Sequence, residues 1–140
     1  MASTFQVRIV TPTGVVFEGE VEQVTAVGPL GEFGVLAEHI NFITSLVPGV
    51  LEAKLPGGGS KHWVVSGGLA EVKDGVMTVL ASSAESPESV DPTAAAAEVK
   101  QADEKFSNLS FYDPDYGAAQ DALKLAQARV EASAIKTAAH

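Results

Sequence analysis

The sequence has no cysteine, a single tryptophan, and no apolar run long enough to cross a bilayer. Without cysteine there is no disulfide framework, no thiolate zinc site, no iron–sulfur cluster and no cysteine nucleophile. Positive charge is also scarce: 9 Lys+Arg stand against 18 Asp+Glu, a formal net charge of −9 at pH 7. That balance argues against nucleic acid or an anionic membrane surface as the main partner. The stretch from Met1 to Val10 lacks the apolar segment of a signal peptide, so the expectation is an acidic, soluble, intracellular protein. A chain of 140 residues suits one domain, or a small domain with an appendage, and a core of this size stands without staples.

Glycine nearly vanishes partway along the chain. Twelve of the 13 glycines lie at or before Gly75, whereas 14 of the 21 alanines lie after Asp91. Glycine with β-branched residues suits turns and strands, and alanine is the strongest helix former. Two unlike parts therefore meet in the polar, proline-containing stretch from Ser82 to Pro92. The division expected is a β domain over 1–84, a linker over 85–91 and a helical domain over 92–140. Net charge does not separate them, with 4 basic and 8 acidic residues up to Ala84 and 5 and 10 beyond it.

The first part reads as about eight to ten short strands. Phe5, Val7 and Ile9 alternate with Gln6 and Arg8, the period of a strand with one buried face. Turns are expected at Thr11–Pro12–Thr13–Gly14, Pro56–Gly57–Gly58–Gly59 and Lys73–Asp74–Gly75. Strands at roughly ten-residue spacing predict a β-sandwich or flattened barrel. The second part predicts an antiparallel two-helix hairpin. Asp91–Pro92 and Asp113–Pro114 each offer an N-cap acceptor followed by proline at the first helical position. Ala95, Val99, Ala102 and Phe106 make one apolar seam, and Tyr116, Ala119, Leu123, Ala126 and Val130 make a second. Leu125, Ala128, Ala132 and Ile135 form another stripe on a different face of the second helix. Either the hairpin folds back on the sandwich with one stripe for each neighbour, or one stripe serves another protein.

Catalytic signals are weak. There is no Walker-type loop, and Gly57–Gly58–Gly59 sits between strands, where it serves a hairpin rather than a phosphate. His39, His62 and His140 share no ligand spacing, and His62 is expected to point outward from its strand. Ser66–Gly67–Gly68 resembles a nucleophile turn only superficially, since strands flank it on both sides. Phe111 and Tyr112 either form an exposed tip or cover the hairpin's end. One rival is a free-standing ligand-binding β-sandwich oligomerised through its helical hairpin. A small β-fold enzyme is another, but it would need clustered acids or histidines.

Beginning at Gly31–Glu32–Phe33–Gly34–Val35–Leu36, followed by His39, the sequence resembles the epsilon subunit family of rotary F-type ATP synthases, called delta in mitochondria. The Phe5 to Thr11 strand, the segments Ser66–Gly67–Gly68–Leu69–Ala70–Glu71–Val72 and Val76–Met77–Thr78–Val79–Leu80–Ala81, and Asp115–Tyr116 opening an Ala-rich helix fit in order. The resemblance implies a non-catalytic rotor subunit of the central stalk, joining the membrane c-ring and the gamma shaft to the catalytic head. It implies no catalytic, metal or cofactor-binding residue in the chain itself. Glu32 would face the c-ring and His39 would lie near gamma. The hairpin, extended, would block ATP hydrolysis, with Lys124, Arg129 and Lys136 facing acidic groups of the catalytic alpha and beta subunits. The location implied is peripheral, on the cytoplasmic face of a bacterial plasma membrane, with no bilayer insertion and no nucleic acid.

Two departures from the family pattern stand out. The stretch Ala37–Glu38–His39–Ile40–Asn41 lacks the Pro-Gly before the histidine and the proline after it. Members that bind ATP here carry an apolar residue, Asp, two variable residues, Arg and Ala, where this chain has Val90–Asp91–Pro92–Thr93–Ala94–Ala95. Ala94 replaces the arginine and removes a fixed positive group for phosphate, so weak or no ATP binding is expected.

Overall fold

A computed structural model describes residues 3–138, with side chains through Ile135. It has ten strands and two long helices: β1 (Phe5–Thr11), β2 (Gly14–Val21), β3 (Gln23–Gly28), β4 (Gly31–Leu36), β5 (Phe42–Leu46), β6 (Gly49–Lys54), β7 (Ser60–Val65), β8 (Gly68–Lys73), β9 (Val76–Ala81), β10 (Ala84–Glu85), α1 (Pro92–Ser107) and α2 (Tyr116–Ala138). The strands form two five-stranded sheets, in the orders β2-β1-β9-β8-β5 and β10-β7-β6-β3-β4. All neighbours are antiparallel except β1 and β9, which run parallel. This is the sandwich that the strand spacing predicts.

The alternation read in β1 has a direct physical outcome. Phe5, Val7 and Ile9 are buried, while Gln6 and Arg8 are exposed. Val7 and Ile9 meet Val21, Val24, Val35, Leu51, Met77 and Val79 between the sheets. Burying each such side chain contributes about 1.5–3 kcal/mol. On the opposite face Arg8 Nε lies 3.1 Å from Glu18 Oε2, its cross-strand partner. Both side chains are about half exposed, so this pair adds little. Asp74 and Gly75 both take positive φ, 52° and 80°, at the β8–β9 turn. The Asn41 side chain holds that turn by accepting the Asp74 N–H at 2.9 Å.

Strand β7 departs from simple alternation, since Trp63, Val64 and Val65 are all buried. Trp63 and Val65 belong to the inter-sheet core, and Val64 faces a second apolar cluster with Val90, Ala95, Ala128 and Ala132. The helices therefore cover the outer face of this sheet. His62 shares that covered side of β7, and its imidazole is only 17% exposed, with Nε2 2.9 Å from Glu52 Oε2. The expectation of an outward histidine is corrected: the ring is largely enclosed and paired across the strand.

Between sandwich and hairpin the chain is ordered by contacts. Ala84 and Glu85 pair with Val65 and Val64, Pro87–Ser89 form a 3₁₀ turn, and Pro87 and Val90 are buried. Asp91 caps α1 as its sequence predicts, accepting the N–H groups of Thr93 at 2.9 Å and Ala94 at 3.3 Å. Replacing Asp91 by alanine is expected to cost about 1 kcal/mol and to speed amide exchange in the first turn of α1. Unchanged protection in that turn would contradict the cap's role.

The start of α2 differs from expectation. Asp113–Pro114 does not open it; the Asp113 carboxylate accepts Asp115 N–H at 2.9 Å and its carbonyl accepts Tyr116 N–H at 3.0 Å. These local bonds make a turn before the helix, whose first backbone bond runs from Ala119 N–H to Asp115 O. An aspartate that bonds two residues ahead competes with helix initiation, and here the turn wins.

Candidate interaction surfaces

The two faces of the hairpin have different neighbours. Leu125, Ala128 and Ala132 of α2 pack with Val50, Val64 and Val90 of the sandwich side and with Ala95 of α1. Phe106 and Tyr116 stack across the hairpin with ring centroids 4.9 Å apart, and Ala102 and Ala126 line one groove between the helices. The folded-back arrangement is therefore the one present, with the Leu125–Ala128–Ala132 stripe shared between the sandwich side and α1. At the tip Phe111 and Tyr112 touch edge to face, and Tyr112 remains 90% exposed.

Glu32 and His39 occupy opposite ends of β4. Glu32 is exposed beside Gly31, whose φ of 116° suits glycine, and the adjoining hairpin tip bears the fully exposed Leu30. His39 follows the strand's far end; its N–H donates to Leu36 O at 3.3 Å, and Nδ1–H donates to Ile40 O at 2.8 Å. Its ring packs at 4.9 Å on Phe42. Four strand residues (33–36), about 13 Å of β4, and the turn at Ala37–Glu38 separate the two positions, which therefore lie at opposite ends of the strand.

Of the α2 cations whose side chains are described, Arg129 is more engaged than Lys124. Its Nε donates to Glu85 Oε1 at 3.0 Å, and its Nη1 donates to Glu98 Oε2. The guanidinium pKa is raised, chiefly by the bond to Glu98 and then by that to Glu85, against an opposing effect of burial. A raised value in the folded state means that this contribution is fully present below the ordinary arginine range. It is lost only as pH rises through the raised value, so the guanidinium stays charged throughout the neutral range. Lys124 lines a shallow cleft of about 380 Å³ between α2 and the β3–β4 turn, together with Glu32 and Glu131. The backbone of Lys136 lies in α2, while its side chain and all of His140 fall outside the described residues.

The largest feature without an obvious sequence signal is the outer face of the β2-β1-β9-β8-β5 sheet, which no helix among the described residues covers. Cross-strand partners set Val15, Val10, Leu80, Leu69 and Ser45 in one row over all five strands. Leu80 is 51% exposed and Leu69 45%, with Ile43 exposed on the edge strand beside them. Strand β9 is apolar at both parities, so its periodicity leaves open which residues face solvent. Among the described residues no helix is long and apolar enough to cross a membrane, and no group of three or more acids and histidines is placed to hold a metal.

A two-sheet sandwich with a back-folded helical hairpin and an open apolar sheet face defines a protein that acts through contact surfaces. Residues 4–87 match the family model of the ATP synthase delta/epsilon chain beta-sandwich domain. The chain is 40% identical over 130 residues to the ATP synthase epsilon chain of Nitratidesulfovibrio vulgaris strain DP4, covering 93% of this chain and 96% of that protein. It is 42% identical over 112 residues to the epsilon chain of Afipia carboxidovorans, covering 80% and 79%. Among solved structures, a chain of the Euglena gracilis mitochondrial ATP synthase OSCP/F1/c-ring assembly superposes with a TM-score of 0.80 at 26% identity, covering 96% of this chain and 83% of that one. The central stalk/c-ring structure of Tetrahymena thermophila mitochondrial ATP synthase shares the fold at a TM-score of 0.56 and 16% identity, covering 97% and 98%. The chain belongs to the ATP synthase delta/epsilon chain family, whose members are non-catalytic subunits of the complex.

Proposed function

We propose that this chain is a rotor subunit of the central stalk, and that the uncovered row of Val10, Leu69 and Leu80 seats on the gamma shaft. The observation that carries this reading is that row itself. A contiguous apolar strip on an otherwise alternating sheet is costly to leave in water and marks an interaction surface. Glu32 and the β3–β4 turn meet the polar loops of the c-ring, and His39 supports the gamma side by packing on Phe42. The sandwich (1–84) and hairpin (92–140) act as separate units joined by 85–91. Docked as here, the hairpin leaves the head free; extended, it places Lys124, Arg129 and Lys136 against acidic groups of the alpha and beta subunits and blocks hydrolysis. The whole works peripherally on the cytoplasmic face of a bacterial plasma membrane.

The test is association. The full chain is expected to co-purify with gamma and the catalytic head, and failure to bind gamma sinks the rotor reading. Deleting everything after Pro92 in the assembled complex is expected to raise ATP hydrolysis about fivefold, the low end of ordinary coupling energies. Unchanged hydrolysis would make the hairpin a stabilising clasp instead.

A further inference from the structure

We propose that the open edge of β7 at Ser60–His62 receives an extended segment of a partner protein as an added strand, with an acidic residue against Lys61 and an apolar residue on either side of it. This edge belongs to the other sheet from the row of Leu69 and Leu80, and the inference stands independently of that row's role.

Strand β7 has β6 along one side and only the two residues of β10 along the other. Just past β7, Ser66 N–H donates to Ser83 O at 3.2 Å, on the β10 side. Backbone groups alternate in direction along a strand, so Val64, His62 and Ser60 turn theirs to that side as well. Val64 is answered by Glu85. The same register sets Pro87 opposite His62. Proline has no N–H to give the ladder, and the chain departs there into the 3₁₀ turn over Pro87–Ser89. Among the described residues no strand fills the lane beside His62 and Ser60. Such an edge is a template for pairing with another chain.

The lane opens into a cleft of about 340 Å³ whose walls include Phe17, Pro87, Glu88 and Ile135. On the inner side the Lys61 ammonium lies 5.5 Å from the centre of the Phe17 ring, which itself packs at 5.2 Å on Trp63. Lys61 has no carboxylate at ion-pair distance among the described residues. In a chain with 18 acidic and 9 basic residues, an unpaired cation on an aromatic ring fits a carboxylate brought by a partner. The outer side is different, since His62 is already bonded to Glu52. Side chains of an added strand alternate between these two sides. Residues opposite His62 and Ser60 therefore face the outer side, where a further acid would meet Glu52 and Glu88. An apolar side chain there would instead meet Pro87 and Ile135. The order selected is apolar, acidic, apolar.

The blocked peptide acetyl-Thr-Val-Glu-Val-Thr-amide is the probe, titrated into the full-length chain and followed by amide NMR. It is expected to bind saturably and to slow exchange at Ser60 and His62, leaving Lys61 and Trp63, which face β6, unchanged. Methylating the backbone nitrogen of either valine is expected to abolish binding, because those N–H groups enter the ladder. Methylating that of the glutamate, which points away from β7, is expected to be tolerated. Lys61→Glu is expected to weaken binding about tenfold and to favour acetyl-Thr-Val-Lys-Val-Thr-amide. Emission from Trp63, the single tryptophan, checks that the sandwich stays folded. Should Lys61→Glu lose that signal, Lys61→Gln carries the same test. No saturable binding at millimolar peptide, full binding of the valine-methylated peptides, or a folded Lys61 variant with unchanged preference overturns the proposal. Binding that emerges only when residues 136–140 are removed also overturns it, since the lane would then belong to this chain's own end.

Discussion

Replacing Leu69 and Leu80 together by glutamate is expected to weaken binding to the gamma subunit about 100-fold or more, with little change in thermal stability. The two leucines are register partners on β8 and β9, near the middle of the open sheet. Each has about half of its surface in water, 45% for Leu69 and 51% for Leu80, so a partner laid on this face can bury the remainder. Fully burying a leucine contributes about 1.5–3 kcal/mol. A carboxylate in its place must be stripped of water without a partner, which adds to the loss. Because both side chains point away from the inter-sheet core, the sandwich itself should tolerate the change. Glu71→Gln, on the same face, is the control and is expected to change affinity little. Binding by the double variant within threefold of the parent would show that gamma sits elsewhere.

The second large effect is on the fold itself. Gly68→Ala is expected to lower stability by about 4 kcal/mol or more, a melting shift on the order of 20 °C. A Cβ at position 68 would fall 2.0 Å from Leu80 O and 3.0 Å from the Ala81 Cα. Both are backbone atoms of the neighbouring strand, so neither can swing aside. The backbone there also takes φ of +147°, which side chains rarely adopt. Gly75→Ala separates the two causes, since φ is +80° and nothing lies within 4 Å of the added atom. It should cost only the strain, about 1–2 kcal/mol. If the two substitutions melt alike, the close approach of β8 to β9 does not limit stability. The Ser66–Gly67–Gly68 segment thus has a structural account: its last glycine lets two strands come together.

Much of the architecture is legible in short stretches of sequence. The alternation of Phe5, Val7 and Ile9, the Asp74–Gly75 turn signal and the Asp91 cap are all written in residues a few positions apart, although Asn41 also holds that turn from 33 residues away. Such patterns carry the period of a strand or the start of a helix without reference to the rest of the chain. The shift from glycine to alanine likewise separates sandwich from hairpin. Where local signals compete, reading fails: Asp113–Pro114 carries the same cap signature as Asp91–Pro92, but its carboxylate closes a turn ahead of α2.

The candidate surfaces are less legible, for a physical reason. Periodicity identifies an apolar face but not what covers it. Leu80 and Met77 lie in one apolar strand, and one is half exposed while the other is fully buried. Val64 and His62 lie on a face that looks solvent-directed from β7 alone, until α2 and the Pro87–Val90 segment before α1 cover it. The fate of Arg129 is settled at the longest range of all. Its partners lie 44 and 31 residues earlier in the chain, and no local pattern relates them. Composition and short-range pattern thus dictate two kinds of part, because strand and helix periods are properties of neighbouring residues. Which sheet stays open, which stripe meets the sandwich and which carboxylates hold Arg129 follow from packing alone, because each depends on surfaces that the chain brings together only when folded.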